Sequence, residues 1–273
     1  QQFKEYTVDS RIAVLQNLTA FTEYDPLPPE DDVEVKSQGN LRLFCSLWKH
    51  CTSDMLDCIV TWEYMWRFIR ILYENYISHD DQKETGKRMV KMVVDWARPM
   101  LSQFSFKMRR DEDSCDTQLR CLAVRMLLWT ESPDVVAEIT RQADLPLSEL
   151  ESPIRAVVTA FAARQLGRAE ELKVKYWEEV EMDPPVGVEF GTIRQHILYG
   201  LCAARDESKK DTPDEFKVLR EVMTAIFNYS KPNLISRSFV PLDQLWAFRG
   251  ASEHVTNMKP AVECFANLPP PPP

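Results

Sequence analysis

Apolar side chains recur every three or four positions along most of the chain. The clearest example begins at Ser53, where the apolar residues are Met55, Ile59, Trp62, Trp66, Ile69, Tyr73 and Tyr76. These alternating steps of four and three residues place them in one stripe along a single long helix. The Ser53 hydroxyl is expected to cap that helix by accepting a hydrogen bond from a free backbone N–H. Trp62 and Trp66 are therefore predicted to pack into the core.

The same periodicity appears in two further segments, carried by Leu119, Leu122, Met126 and Trp129 and by Phe216, Leu219, Met223 and Ile226. Helix starts are marked by a hydroxyl residue followed by proline, at Ser132-Pro133, Ser152-Pro153 and Thr212-Pro213. Proline at the first helical position loses no hydrogen bond, and the preceding hydroxyl caps the helix. Gly167 is expected to end the helix that begins at Ser152, because glycine adopts positive φ at no steric cost. The pattern predicts about a dozen helices joined by short connections.

Three segments interrupt the helical pattern. Residues 25–38 carry three prolines and an acidic run, residues 230–241 carry Pro232 and Pro241, and residues 78–87 form a polar connection. We therefore predict a single α-helical repeat domain over residues 1–268, with irregular loops near 25–38 and 230–241. Residues 269–273 form a proline-rich tail.

An aliphatic residue followed by arginine recurs near predicted helix starts, at Leu119-Arg120, Ile154-Arg155, Ile193-Arg194 and Leu219-Arg220. The spacings between the first three of these pairs are similar to those of helix-pair repeats of about 34–47 residues. Such repeats stack into solenoids because each helix pair buries its apolar face on the next. Arginine is common in helices, so a chance recurrence remains the alternative. The predicted fold is all-α, an α-superhelix of antiparallel helix pairs of the HEAT or armadillo type.

Composition narrows the fold and the partners. The chain has 7 glycines among 273 residues, too few for the frequent turns of an all-β fold. Its net charge of −9 disfavours binding to nucleic acid, since an acidic protein repels phosphate. The densest basic stretch, Lys107 to Arg110, is followed at once by acidic residues and is predicted to be a solvated loop. No apolar run approaches the ~20 residues that cross a bilayer, so no membrane insertion is expected from this segment.

Catalytic motifs are missing from the sequence. None of the seven cysteines forms a CxxC pair, and the four histidines form no HExxH. Most cysteines are expected to be small buried hydrophobic residues. His79 is predicted to lie in a solvated loop, and His50, His196 and His254 are predicted to be helix residues with satisfied hydrogen bonds. We therefore expect no catalytic residue, metal site or cofactor on this chain.

Asn17 and Asn228 each begin an Asn-x-Ser/Thr sequon. These two asparagines would be glycosylation acceptors in a secretory protein. Two sequons are also expected by chance in a chain of this length, so the sequence leaves the compartment open.

Several segments together resemble one known domain, the C-terminal helical domain of the gluzincin zinc aminopeptidases, which include aminopeptidase N and the endoplasmic-reticulum aminopeptidases. The segments that carry the resemblance are QLRCLAVRMLLWTESPDVVAEI, SPIRAVVTAFAARQLGRAEELKVKYWEE and IRQHILYGLCAARDES, in that order. Similar flanking segments are SRIAVLQNLTAF, WEYMWRFIRIL and NLISRSFVPLDQLWAFRGASEHV. The resemblance covers most of residues 10–256.

The resemblance implies a non-catalytic, HEAT-like bowl within a longer protein. Zinc and the HExxH, downstream Glu and GxMEN motifs would belong to an upstream catalytic domain, and none of these motifs occurs here. The bowl would close over that domain and bind the body or C-terminus of the peptide substrate. Arg237 and Arg249 lie in the segment similar to the family's arginine-rich stretch. They are the candidate substrate-binding residues, because arginine binds a carboxylate bidentately.

Two alternatives remain open. The chain could be a free-standing helical-repeat scaffold that binds protein partners on its concave face, or a complete small enzyme with an unfamiliar active site. An upstream HExxH in the full-length gene would favour the aminopeptidase hypothesis over the scaffold.

Overall fold

The computed structural model describes residues 59–73, 83–107, 109, 112–182, 192–204 and 217–228, with a few positions between 7 and 17 and between 245 and 250. Within these residues the chain is helical, apart from its connections, and contains no strand. The predicted all-α class is confirmed. The superhelical stacking of helix pairs stays a prediction.

Eight α-helices of the described part carry the packing, namely α1 (Ile59–Leu72), α2 (Lys83–Phe104), α3 (Ser114–Trp129), α4 (Pro133–Ala143), α5 (Ser152–Arg164), α6 (Ala169–Met182), α7 (Ile193–Ala203) and α8 (Lys217–Asn228). A short 3-10 turn, Leu147–Glu149, lies between α4 and α5. The chain divides into two compact units, Gln1–Val135 and Val136–Pro273. The prediction of one repeat domain over 1–268 is not tested by this division.

In the first unit, α3 packs along α2 and also contacts α1. The α1 stripe is buried as predicted, with Trp62 2% and Trp66 3% exposed. Trp62 packs edge-on against Trp96 of α2, with ring centroids 5.4 Å apart, and Trp66 packs in the same way against Trp129 of α3 at 5.2 Å. Edge-to-face pairs add to the hydrophobic gain from burial. These aromatic contacts link α1 to both α2 and α3.

In the second unit, α7 is the central helix. It packs extensively on α5, and α6 and α8 also contact it. Every residue from Arg194 to Ala203 is buried. Its first turn is fixed by a capping box, in which the Thr192 hydroxyl accepts from the Gln195 N–H and the Gln195 side chain accepts from the Thr192 N–H. A helix with no exposed face has to satisfy its polar groups within the protein.

The crossing of α5 and α7 depends on Gly200. A Cβ at this position would lie 2.6 Å from the carbonyl carbon and 2.7 Å from the carbonyl oxygen of Thr159. Close by, the Thr159 hydroxyl donates to the carbonyl oxygen of His196 over 2.7 Å. The absence of a side chain at Gly200 therefore allows the two helix backbones to meet, and the hydroxyl connects them.

Gly200→Ala is expected to lower the free energy of unfolding by about 1–3 kcal/mol, measured by denaturant titration. Helix propensity alone predicts the opposite, a gain of up to about 1 kcal/mol for alanine inside a helix. The clash should dominate because two of the three nearest atoms belong to the Thr159 backbone, which cannot rotate away. Thr159→Ala should not rescue the variant. Full recovery of stability in the double variant would show that the Thr159 side chain, rather than its backbone, limits the approach of the two helices.

The predicted helix boundaries hold with small shifts. α4 begins at Pro133, as predicted. α5 begins at Ser152 itself, so Glu151 occupies the N-cap position, and the expected capping by the Ser152 hydroxyl is wrong. Gly167 follows α5 with a φ of +66°, which confirms its role in ending that helix. The predicted connection 78–87 is too long, because α2 already begins at Lys83.

Several predicted features lie outside the described residues, namely the Ser53 cap, the Thr212-Pro213 start, His50, His79, His254, the loops 25–38 and 230–241 and the tail 269–273. Two described cysteines, Cys121 and Cys202, are buried as expected, and Cys115 is half-buried.

Among the described residues of the loop after α2, Glu112 differs from the prediction. Lys107 and Arg109 are exposed, as expected of a solvated loop, but Glu112 is buried. Its carboxylate accepts from the Arg120 side chain at 2.9 Å and from the Arg109 backbone N–H at 2.9 Å. Arg120 also donates to the Phe106 carbonyl at 3.0 Å. A buried ion pair therefore holds this loop against α3.

Candidate functional site

Of the two arginines predicted to bind substrate, the structure describes one. Arg249 is helical and exposed, whereas Arg237 lies outside the described residues. Both sequons have a described asparagine. Asn17 is exposed and helical, and Asn228 is the last residue of α8. Whether either asparagine carries a glycan is untested by the fold.

The residues around Arg249 lie against the central helix of the second unit. Ala247 is fully buried, and Leu245 remains 56% exposed. At Gly250 the backbone meets the Tyr199 carbonyl so closely that no Cβ could be accommodated. This close approach fixes the position of the described residues 245–247 and 249–250, which are called the docked segment below, on α7.

Trp246 is the main aromatic contact of the docked segment. Its ring packs edge-on against His196, with centroids 5.3 Å apart, and against Tyr199 at 6.3 Å. The guanidinium carbon of Arg249 lies 5.5 Å from the Trp246 ring centroid. Such a cation–π contact orients an arginine while leaving it at the surface. The chain thus places Arg249 beside a tryptophan that is itself supported by two α7 side chains.

His196 lies beneath this tryptophan and is 2% exposed. Its Nδ1 atom is buried and has no hydrogen-bond partner among the described residues. His196 is a helix residue, as predicted. Burial lowers the pKa of His196 to about 4, and the positive charges of Arg155 and Arg249 contribute to the shift. The imidazole is neutral at physiological pH.

Arg155, on α5, is the second cation near this histidine. One of its guanidinium nitrogens donates to the Leu150 carbonyl at 2.7 Å, just before the helix begins. Burial lowers the pKa of Arg155, and the nearby Glu179 carboxylate opposes that shift. The group stays charged nonetheless, because arginine does not deprotonate in proteins. Arg155 and Arg249 therefore place two permanent positive charges around one neutral imidazole.

These four residues, Arg155, His196, Trp246 and Arg249, form what we call the Arg–His–Trp cluster. A guanidinium group suits a carboxylate or another planar anion, and an adjacent indole offers an apolar surface. The imidazole is buried and its pKa is about 4, so it is a weak base. In this cluster Arg249 is the exposed cation, and the imidazole is buried beside the indole.

The sequence identified only part of this cluster. The sequence indicates Arg249 through the segment in which it lies, and Arg155 only as one half of a repeated aliphatic-arginine pair. It gives no indication of a role for Trp246. Large polar and aromatic residues are dense on the two segments that contact α7, and this density is the sequence signal for the cluster. The contact of these segments with α7 depends on the tertiary structure.

No described helix is long and apolar enough to cross a membrane. In the part of the chain that the structure describes, no three His, Cys, Asp or Glu residues are grouped so as to hold a metal ion. Comparison with protein-family models, with curated proteins and with solved structures finds no match.

Proposed function

We propose that the chain is the non-catalytic C-terminal helical domain of a zinc aminopeptidase and binds the body or C-terminal end of the peptide substrate. The observation that carries the proposal is the position of Arg249, exposed and 5.5 Å from the Trp246 ring centroid in the segment that packs on α7. The segments that resemble the family lie on the helices α3 to α7, as a helical domain requires. In this proposal zinc and the hydrolytic step belong to the upstream catalytic domain.

Substrate binding would rest on complementarity between the cluster and the end of a peptide. The terminal carboxylate accepts hydrogen bonds from Arg249, whose guanidinium presents donors in a fixed plane. Trp246 limits the rotamers of Arg249, so less side-chain entropy is lost when the carboxylate binds. An apolar C-terminal side chain packs against the exposed edge of the docked segment, where Leu245 is accessible.

Arg249→Ala is expected to weaken binding of a peptide with a free C-terminus by about tenfold, measured by isothermal titration calorimetry. The same peptide with an amidated C-terminus should bind the wild type more weakly and should lose little affinity in the variant. The matched control is Arg141→Ala, because Arg141 is also an exposed arginine and lies on α4, outside the cluster. Equal losses for the free and the amidated peptide would remove the role of Arg249 in recognising the carboxylate.

The assignment to an aminopeptidase has its own test. The full-length gene should encode HExxH upstream of Gln1, and the chain alone should show no zinc-dependent peptidase activity. Upstream sequence without that motif would favour the free-standing scaffold, whereas turnover by the isolated chain would favour a small enzyme of its own kind.

A further inference from the structure

The first of the two sequons lies on an exposed side of the chain. We propose that Asn17 carries an N-linked oligosaccharide, which makes this asparagine a modification site and the protein one that passes through the secretory pathway. This modification goes beyond the proposed function and does not rest on it. It starts from the sequence Asn17-Leu18-Thr19 and depends on where the described residues place the asparagine side chain.

The helical segment that contains Asn17 begins with a local cap. The Ser10 backbone N–H donates to the Thr7 hydroxyl over 3.3 Å, which is the contact that an N-capping residue makes in the first turn of a helix. The described residues from Ser10 to Asn17 are helical. Side chains three and four positions apart share a face of a helix, so Asn17 projects on the same side as Ser10 and Ala13.

That side of the segment is in contact with solvent. Ser10, Ala13 and Asn17 are each exposed, whereas Ile12 and Val14 on the other side are half-buried. An N-linked oligosaccharide is bulky and has to project from the surface of the folded protein. The two residues that share the face with Asn17 are small, so they leave room for the first sugar.

Gln16 connects the segment to α1. Its side-chain amide nitrogen donates to the Tyr64 hydroxyl over 2.8 Å. Consecutive residues of a helix are rotated by about 100° around its axis, so Asn17 projects in a different direction from the side chain that makes this contact. The hydrogen bond therefore holds the turn on α1 and leaves the asparagine pointing into solvent.

The modification is a group transfer. The side-chain amide nitrogen of Asn17 forms a bond to C1 of the N-acetylglucosamine of an oligosaccharide that is linked to a lipid diphosphate. The bond between C1 and the diphosphate oxygen breaks, and the lipid diphosphate leaves with one amide proton. Because this transfer takes place on the newly made chain before it folds, the helix does not prevent it. The fold has only to leave the finished glycan in water, as the exposed face does.

The test is peptide mapping of the protein isolated from the cells that produce it. Peptide-N-glycosidase in heavy-oxygen water converts a glycosylated asparagine into a labelled aspartate. We expect the label at Asn17 in most copies and none at Asn40. Asn40 is the matched control, because Asn40-Leu41-Arg42 begins with the same two residues and lacks the hydroxyl residue. An unlabelled Asn17 would overturn the inference and leave the proposed function standing.

Thr19→Ala is expected to abolish the glycan although Asn17 is kept, and Thr19→Ser should retain it, since serine also completes the sequon. Both variants are produced in the same cells, and the change in electrophoretic mobility after glycosidase treatment reports the glycan. Far-ultraviolet circular dichroism checks that each variant is helical. The peptide map of the wild type does not depend on the folding of either variant. A glycan on Asn17 in Thr19→Ala would show that the sequon does not direct the modification.

Discussion

Arg120→Ala is expected to lower the free energy of unfolding by about 3–5 kcal/mol, measured by chemical denaturation at neutral pH. Both side chains of the Arg120–Glu112 ion pair are fully buried, and the N–O distance is 2.9 Å. Removing the guanidinium leaves the Glu112 carboxylate inside the protein without its counter-charge. It also removes the hydrogen bond to the Phe106 carbonyl, which loses its described donor from α3.

Arg98→Ala is the matched control in the same unit. Arg98 binds Asp134 through two hydrogen bonds, but the two side chains are 39% and 56% exposed. A surface ion pair of this kind contributes about 0–1 kcal/mol, so the loss should be small. The double variant Arg120→Leu/Glu112→Leu should recover much of the lost stability, because it leaves no isolated buried charge. Equal losses of unfolding free energy from Arg98→Ala and Arg120→Ala would show that burial does not determine how much an ion pair contributes to stability.

Acidification is expected to destabilise the second unit through His196. In the unfolded chain the imidazole takes up a proton near its ordinary pKa of about 6.5, whereas in the folded chain it does so only near 4. The folded-state pKa is lowered, so the stabilisation is fully present above pH 6.5 and is lost as the pH falls from about 6.5 to about 4. The difference amounts to about 3 kcal/mol at the low end of this range.

The measurement compares free energies of unfolding at several pH values in the wild type and in His196→Gln. Glutamine has no ionisable group, so the variant should lose less stability between about pH 7 and about pH 4 than the wild type does. Carboxylates titrate in both proteins, and their contribution cancels in the difference. Parallel curves of the free energy of unfolding against pH would show that His196 has the same pKa in the folded and the unfolded chain.

Local sequence signals predicted the helices well and their polar contacts poorly. The stripe through Trp62 and Trp66 predicts a buried helix face because side chains three and four positions apart project from the same side. Gly167 predicts a helix end for a similarly local reason, since glycine adopts positive φ at no steric cost. Nothing local, however, distinguishes Arg120 from Arg155, since both follow an aliphatic residue near a helix start. Arg120 is buried against Glu112, and Arg155 reaches back to the Leu150 carbonyl.

The sequence does not predict the Arg–His–Trp cluster, for the same physical reason. His196 lies in a helical sequence pattern that is common to many histidines. Its surroundings depend on the residues that α5 and the docked segment place beside it. The neutral state of its ring is set by burial and by two cations from distant parts of the sequence. Periodicity reports which side of a helix is apolar, but pairings between elements require the packed structure.

The burial of α7 on every side has a consequence for hydrogen exchange. Its amides are bonded within the helix, and from Arg194 to Ala203 no residue is at the surface of the protein. Fraying of a neighbouring element therefore exposes at most one side of the helix. Deuterium should enter α7 only when the whole second unit opens, so its slowest amides should report the global opening energy of that unit. The exposed amides at the start of α2 should exchange through local fluctuations many times faster.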